Sequence, residues 1–293
     1  MISPFVRRHR LAVELRTLRE AADKTHADLA TAIGQSRMKI SRLENGHARP
    51  NQADIMKILD ALAVTGDRWT ELMDVARDAA QQGWWDSYGE DMGARQTLYA
   101  NLEAGATTIR EFQPFIPGLV QTPEFARRRQ DAESEIGPIT FQTQRAVEAR
   151  QTRQRMLRRP DGPAYEVVLD EIALRRLPAP PQVVADQLRH LVELADQPKI
   201  TVRVLPVDAR IAGYVVPRSA FSLYTYPDPG DPRVVAVDTV TTDVVLTSLT
   251  EPAQVSRYVT LYQRLADAAR SPDESRNLLA STAKELKIRR GAA

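Results

Sequence analysis

Apolar residues through the first 80 positions recur every three or four residues, which is the spacing of one face of an α-helix. Several of these segments begin at a residue type that caps helices. Five segments follow one another, and their predicted starts are Ser3, Thr25, Ser36, Asn51 and Asp67. The pattern predicts a mainly α domain of five helices over residues 1–80.

The second and third of these helices are joined by a very short connection. Thr25 and Asp28 are spaced to satisfy each other's amides in a capping box, and Gly34 supplies the positive φ that ends a helix in a tight turn. In the third helix Ile40 and Leu43 face inward, whereas the opposite face is basic and polar. Two short helices joined by a glycine turn, the second with an exposed arginine-bearing face, are what a helix-turn-helix needs to read the major groove.

The hydrophobic pattern changes its period in the second half of the chain. Short runs rich in β-branched and aromatic residues predict strands at 165–169, 200–205, 220–226, 234–238 and 244–246. Helical spacing predicts helices from Tyr99 through Ile109, from Phe141 to Arg159, and over 181–195, 252–270 and 272–290. We therefore expect residues 101–293 to form an α+β domain with a small sheet.

A turn-rich aromatic segment, GWWDSYGEDMG, lies in the predicted junction over residues 81–100. Its Trp84, Trp85 and Tyr88 have two interpretations: they wall a ligand pocket, or they pack the two domains together. Aromatic residues at a junction more often pack, so packing is the favoured interpretation.

Positive charge is concentrated at the N-terminus. Residues 1–50 hold ten Lys and Arg against five Asp and Glu, whereas the remainder holds thirty against thirty-three. This asymmetry indicates that the N-terminal part binds a polyanion. Within it, the tract of Arg7, Arg8 and Arg10 either touches phosphates or is a solvated helix start, and the sequence favours neither.

The composition of the chain argues against several kinds of site and against a membrane or secreted protein. The chain has no cysteine, which excludes disulfides, thiolate metal sites and cysteine nucleophiles. No apolar run approaches the ~20 residues of a membrane span, and no apolar stretch follows the charged start as in a secretory signal. We expect a cytoplasmic protein that does not enter a membrane.

Few residues are candidates for catalysis. Asp170 and Glu171 end a predicted strand, but neighbouring residues of one strand point to opposite faces, so a helix cap is the favoured role. Asp208 follows another strand, and His190 is the one histidine outside the N-terminal half, too few for a histidine metal site. No nucleotide-binding glycine pattern is present. We expect no enzyme activity, no metal and no cofactor.

The segment from Thr25 to Pro50 resembles the lambda-repressor-like (Cro/XRE-type) helix-turn-helix family, above all through Leu43-Glu44-Asn45-Gly46 followed by Arg49-Pro50. The resemblance implies that the base-reading residues are Arg37, Met38, Ser41 and Arg42. It implies phosphate contacts from Thr25, Gln35, Lys39, Asn45 and Arg49. It also implies a buried structural ion pair of Arg19 with Glu44. His26 stands where the family often has glutamine.

The remainder resembles a domain of unknown function found behind such helix-turn-helix domains in regulators of filamentous Gram-positive bacteria. The motifs are GWWDSYG, LEAGATTIREFQPFIPGLVQTPEFAR, VEARQTRQ, VVLDEIALRR, ITVRVLP and SPDESRNLL. The resemblance implies a transcriptional regulator, often paired with a small acidic neighbouring protein and likened to an antitoxin.

Three functions remain open at this stage. The favoured one is a dimeric regulator that binds double-stranded DNA at an inverted repeat, with a second domain that dimerises and binds a small-molecule or protein signal. The alternative is an antitoxin-like interaction module whose main partner is a small neighbouring protein. The third is an enzyme tethered to DNA.

Overall fold

The computed structural model describes residues 2–136, 143–239 and 241–291. Its first 80 residues form the expected helical domain. The helices are α1 (Pro4–Ala21), α2 (His26–Ile33), α3 (Arg37–Glu44), α4 (Gln52–Ala61) and α5 (Gly66–Ala79). Their starts follow the predicted caps: the side chains of Ser3, Thr25, Ser36 and Asn51 each accept a backbone amide of the following turn.

The turn between α2 and α3 has the predicted geometry. Thr25 and Asp28 form a capping box, and Gly34 has a φ of 68°, which favours glycine. The apolar faces of the five helices meet in one buried cluster, the N-terminal core. Its largest members are Leu11, Leu15, Leu29, Ile40, Leu43, Ile55, Ile58, Leu59 and Leu72.

The second domain is α+β, as expected, and contains a six-stranded mixed sheet. The strands are β1 (Thr108–Gln113), β2 (Ala164–Asp170), β3 (Ile200–Leu205), β4 (Phe221–Thr225), β5 (Val234–Val237) and β6 (Val244–Thr247). Their order is β3-β2-β1-β4-β5-β6, with β1, β2 and β3 parallel and the other pairs antiparallel. The five strands predicted from the sequence are found to within one residue at each end.

Seven α-helices accompany this sheet in the described part of the chain. They are α6 (Ala94–Glu103), α7 (Pro123–Ile136), α8 (Thr143–Gln154), α9 (Ile172–Arg175), α10 (Pro181–Ala195), α11 (Pro252–Ala268) and α12 (Pro272–Gly291). The predicted start of one helix at Phe141 lies outside the described residues. Side chains alternate along the strands: Val167 joins a core shared with α10 and α12, and Val168 joins a second core under α11.

The predicted helix from Tyr99 through Ile109 is wrong in its second half. Helix α6 ends at Glu103, and Gly105 turns the chain with a φ of 70°. Residues 108–113 instead form β1, which lies between β2 and β4 near the middle of the sheet. Leu102, Ala106 and Ile109 are helically spaced by coincidence, because the first belongs to the helix and the last to the strand.

Helix α1 belongs to both domains. Val6 is fully buried in the core of the second domain, whereas Leu11 and Leu15 lie in the N-terminal core. The hydroxyl of Ser3 donates a 2.6 Å hydrogen bond to the carbonyl of Asn101 on α6. The two cores are therefore bridged by one continuous helix.

Two arginines of α1 form ion pairs with the turn between β4 and β5. Arg7 Nη2 and Arg10 Nη1 lie 2.9 and 3.0 Å from Asp228 Oδ2, and Arg7 Nε lies 3.3 Å from Asp231 Oδ1. Arg10 Nη2 also lies 2.6 Å from Glu71 Oε1 on α5. We call Arg7, Arg10, Asp228 and Asp231 the interdomain clamp. It shows that Arg7 and Arg10 of the basic tract face the second domain, whereas Arg8 is half-buried and donates to the carbonyl of Ala79 on α5 at 3.5 Å.

Arg10 is buried among the carboxylates of Glu71, Asp228 and Asp231. Arg10→Met removes this positive charge and leaves Arg7 as the one arginine of the clamp. We expect the free energy of unfolding in urea to fall by about 3 kcal/mol. Arg68→Met is the matched control, since Arg68 also pairs with Glu71 but its side chain is 42% exposed. The control is expected to lose less than ~1 kcal/mol. Equal losses in the two variants would contradict a buried clamp.

Candidate nucleic-acid interface

The recognition helix α3 is capped by Ser36, whose hydroxyl accepts a backbone amide of the first turn at 3.2 Å. Ile40 and Leu43 bury one face in the N-terminal core. The four predicted base-reading residues lie on the other face, with Arg37, Met38 and Arg42 exposed and Ser41 half-buried. The second domain leaves this face open, since Met38 is 71% exposed in the full chain.

A buried ion pair holds the recognition helix against α1. Arg19 Nε donates to Glu44 Oε1 at 2.7 Å, and Arg19 Nη2 donates to Glu44 Oε2 at 2.8 Å. The hydrogen bonds to Glu44 are the main cause of a raised pKa of Arg19. His26 Nε2 lies 3.0 Å from Glu44 Oε2, so this histidine supports the pair from α2.

A residue that the sequence analysis missed, Arg16, completes this support. Its Nη2 donates to the carbonyl of Glu44 at 2.7 Å and to Asn45 Oδ1 at 2.9 Å. Asn45 Nδ2 donates in turn to the carbonyl of Ser41 at 2.6 Å. The amide of Asn45 is therefore held at the end of α3. The available signal was spacing, because Arg16 lies one helical turn before Arg19.

The other predicted phosphate-binding residues surround α3, and all have partners within the protein. The hydroxyl of Thr25 caps α2. Gln35 Nε2 donates to Asp54 Oδ1 at 3.1 Å, and Lys39 forms an ion pair with the same carboxylate. Arg49 Nη2 lies 3.2 Å from Asp86 Oδ2 in the junction. The shared partner of Gln35 and Lys39 places both side chains between α3 and α4.

The junction aromatics pack onto the second domain. Trp85 is 4% exposed and packs with Met92 and alanines of α6 and α8. Trp84 contacts Trp85 and Tyr88 edge to face, with centroid distances of 5.8 and 5.7 Å. Trp84 also lines a cavity of about 230 Å³. The cluster around Trp85 lies within the second domain, so packing of the two domains against each other stays a prediction, and Trp84 has one side on open space.

Asp170 and Glu171, the acidic pair considered for catalysis, both accept hydrogen bonds that hold neighbouring segments of the chain. Asp170 Oδ1 accepts the backbone amide of Ile172 at 3.0 Å, at the start of α9. Glu171 Oε2 accepts the amide of Val207 at 3.1 Å, and its other oxygen pairs with Arg175. The two carboxylates hold different segments and do not form a dyad.

A buried polar cluster was not anticipated from the sequence. Glu111 of β1 is 4% exposed and accepts hydrogen bonds from Tyr165 at 2.6 Å and from Ser222 at 3.0 Å. It borders a cavity of about 260 Å³, which we call the polar pocket. Its buried or half-buried walls include Tyr99, Glu111, Gln113, Gln121, Gln130 and Asp238. The signal in the sequence was a glutamate between the apolar Ile109 and Phe112, which are both buried in β1.

None of the helices in the described ranges combines the length and apolar character needed to cross a bilayer.

Arg19→Met would leave the Glu44 carboxylate buried without its arginine, and we expect it to lower the free energy of unfolding by about 3 kcal/mol. Urea denaturation followed by circular dichroism measures this loss. The exposed Arg37→Met on the same domain is the control, expected to stay within ~0.5 kcal/mol of the parent. A loss no larger than the control's would show that the pair does not hold α3.

Comparison with known protein families agrees with this geometry. The profile of a helix-turn-helix domain matches residues 10–72, which include α2 and α3. The profile of a domain of unknown function, DUF5753, matches residues 96–281, which is more than half of the chain. No curated protein and no solved structure matches the chain. The chain therefore belongs to the DUF5753 family and carries its family domain behind a helix-turn-helix domain.

Proposed function

We propose that this protein is a sequence-specific transcriptional regulator of the XRE type, which binds an inverted repeat of double-stranded DNA as a dimer. The observation that carries the proposal is the open basic face of α3, held rigidly by Arg19 and Glu44 yet uncovered by the second domain. A rigid, exposed helix with arginines on its outer face fits the major groove.

Base reading would fall to the outer face of α3. Arg37 and Arg42 carry planar guanidinium groups, which make the commonest specific contact, a bidentate pair with a guanine edge. Met38 offers an apolar surface suited to a thymine methyl group, and Ser41 accepts or donates a hydrogen bond. The exposure of these side chains supports the assignment.

Phosphate contacts would position the helix. Thr25 lies at the start of α2, where the helix dipole favours an anion. Lys39 and Gln35 now share Asp54, and a phosphate would compete with that carboxylate for both side chains. Asn45 is oriented by Arg16, and Arg49 lies on the loop after α3. These contacts would carry affinity and register without sequence preference.

The second domain would dimerise and bind the signal. One helix-turn-helix covers too few base pairs for selective occupancy of a genome, so two copies on a two-fold axis are needed. The half-site centres would then lie ~34 Å apart, or a multiple of that distance. The proposal is one of binding without catalysis.

A second candidate, an antitoxin-like module for a small acidic protein, draws support from a different surface. A groove of about 850 Å³ lies between α11 and the segment before β4. Arg218, Arg257 and Arg264 line it, and the nearby Val216 is 75% exposed. Apolar exposure with positive charge suits an acidic partner.

Substitutions in α3 separate base reading from positioning. On the best-bound duplex, Arg42→Ala or Arg37→Ala should lose ~1 to 3 kcal/mol, mainly at particular bases, because a bidentate guanine contact disappears. Asn45→Ala should weaken all sequences alike. Fluorescence anisotropy on matched and single-base-changed duplexes measures both effects.

Arg257→Ala is the matched control, since Arg257 is equally exposed but lies on α11 in the second domain. It should leave DNA affinity unchanged. Equal losses on specific and random DNA for the two α3 arginine variants would refute their base-reading role. Loss of DNA affinity in Arg257→Ala alone would place the DNA-binding surface at the groove and not at α3.

A further inference from the structure

The polar pocket lies where β1 ends, between α6, α7 and α8. Its inner wall is buried and polar, whereas Arg95 and Phe115 at its rim are exposed and Arg129 and Arg150 are half-buried. A cavity of about 260 Å³ lies at the small end of the ~300–1,000 Å³ range of ligand pockets. Its size suits a molecule of a few heavy atoms and excludes a nucleotide.

The pocket wall holds hydrogen-bonding atoms without partners. Both the nitrogen and the oxygen of the Gln130 side-chain amide are buried and have no hydrogen-bond partner in the described part of the chain, and Gln130 is 4% exposed. The same holds for Gln113 Oε1, with Gln113 3% exposed. Buried polar groups in native proteins are almost always hydrogen-bonded, since leaving one unmet is costly. Two such glutamines on one cavity indicate that a polar ligand completes them.

Two carboxyl groups of the pocket, those of Glu111 and Asp238, form no direct ion pair among the described residues, although Arg95 and Arg153 act on Asp238 from beyond ion-pair distance. Glu111 receives hydrogen bonds from two hydroxyls, and Asp238 receives one from Tyr99. Burial is the main cause of a raised pKa in both, to about 7 for Glu111. The neighbouring Glu103, by contrast, has a cationic partner, because Arg153 donates to its carboxylate through two nitrogens. An ammonium group entering the pocket would give Glu111 and Asp238 the ion-pair partner that they lack.

The rim has the opposite charge. Arg95 Nη2 lies 2.9 Å from Asp243, and Arg150 Nη1 donates to Gln121 Oε1 at 2.8 Å. A guanidinium has five N–H donors, so these side chains can accept a carboxylate beside their present contacts. Arg153 also lines the pocket and is buried, but it pairs with Glu103. The carboxyl groups inside that have no ion pair and the arginines of the rim would attract opposite ends of one molecule.

We propose that the polar pocket binds a small zwitterion of the amino-acid class, with its ammonium at Glu111 and Asp238 and its carboxylate at the rim arginines. The glutamine amides of residues 113 and 130 bind its remaining polar atoms. A purely anionic ligand would meet the two carboxyls unfavourably, and a purely cationic ligand would leave the arginine rim unused.

The pocket is connected to the DNA-binding half through α6. This helix contributes Arg95 and Tyr99 to the pocket, and the carbonyl of Asn101 two residues further on accepts the hydroxyl of Ser3 at the start of α1. The role of the zwitterion as a signal rests on the proposed function, but its binding to the pocket does not.

The test uses the full-length protein without DNA and the twenty common L-amino acids, each at 10 mM, as probes. Thermal melting screens them, and isothermal titration calorimetry gives the dissociation constant. We expect at least one amino acid to bind, and to raise the melting temperature by about 5 °C at a hundredfold excess over its dissociation constant. Its N-acetyl and carboxamide derivatives should bind at least tenfold more weakly, because each lacks one of the two charges.

Variants locate the site. Gln130→Met and Glu111→Gln keep the side-chain size and should weaken binding of that amino acid at least tenfold. Gln263→Met is the matched control, since Gln263 is exposed on α11, and should bind like the parent. Should Glu111→Gln fail to fold by circular dichroism, Gln113→Met takes its place.

No binding by any of the twenty probes would overturn the proposal, as would equal binding of the charge-blocked derivatives or unaltered binding in the pocket variants. Because the assay contains no DNA, its failure is distinguishable from failure of the proposed DNA-binding function. A protein that binds DNA selectively but none of the probes would refute the pocket alone.

Discussion

The structure depends on α1 passing through two cores. Val6 anchors the start of this helix in the α+β domain, and Leu15 anchors its later turns in the helical domain. The clamp of Arg7 and Arg10 on Asp228 fixes the helix between them. Because a helix is stiff over this length, the orientation of the exposed face of α3 relative to the sheet follows from α1.

The basic residues of the N-terminal part therefore fall into two groups, one buried in ion pairs and one exposed on α3. Arg7 and Arg10 are buried against carboxylates of the second domain, and Arg19 is buried against Glu44. The arginines of α3 remain exposed, and the proposed function has them face a polyanion. A buried ion pair rarely adds much net stability compared with apolar packing, but it is unfavourable when misaligned. We interpret the pair of Arg19 with Glu44 as a device that fixes the position of α3.

Much of the helical domain could be predicted because its signals are local. The capping box at Thr25 and the left-handed turn at Gly34 are properties of a few adjacent residues, and the structure has them where the sequence indicated. The strand β1 was missed because the spacing of Leu102 and Ile109 imitated a helix. Only its pairing on both sides by β2 and β4 distinguishes it.

The clamp and the polar pocket could not be predicted, for a different reason. Arg10 and Asp228 are 218 residues apart in sequence, and Glu111 meets Gln130 and Asp238 only after the sheet and its helices have assembled. No local pattern distinguishes such a charged residue from a solvated one. The sequence did show an excess of basic charge near the N-terminus, but not which part of it faces inward.

The central claim, a dimeric reader of DNA sequence, is tested most directly by selecting bound sequences from random duplex DNA with the full-length protein. The winning duplex and a scrambled control are then titrated over a series of salt concentrations. We predict an enriched inverted repeat, bound far more tightly than the control, with an affinity that falls steeply with salt as phosphate contacts are screened. No enrichment, or equal weak binding to every duplex, would contradict the account.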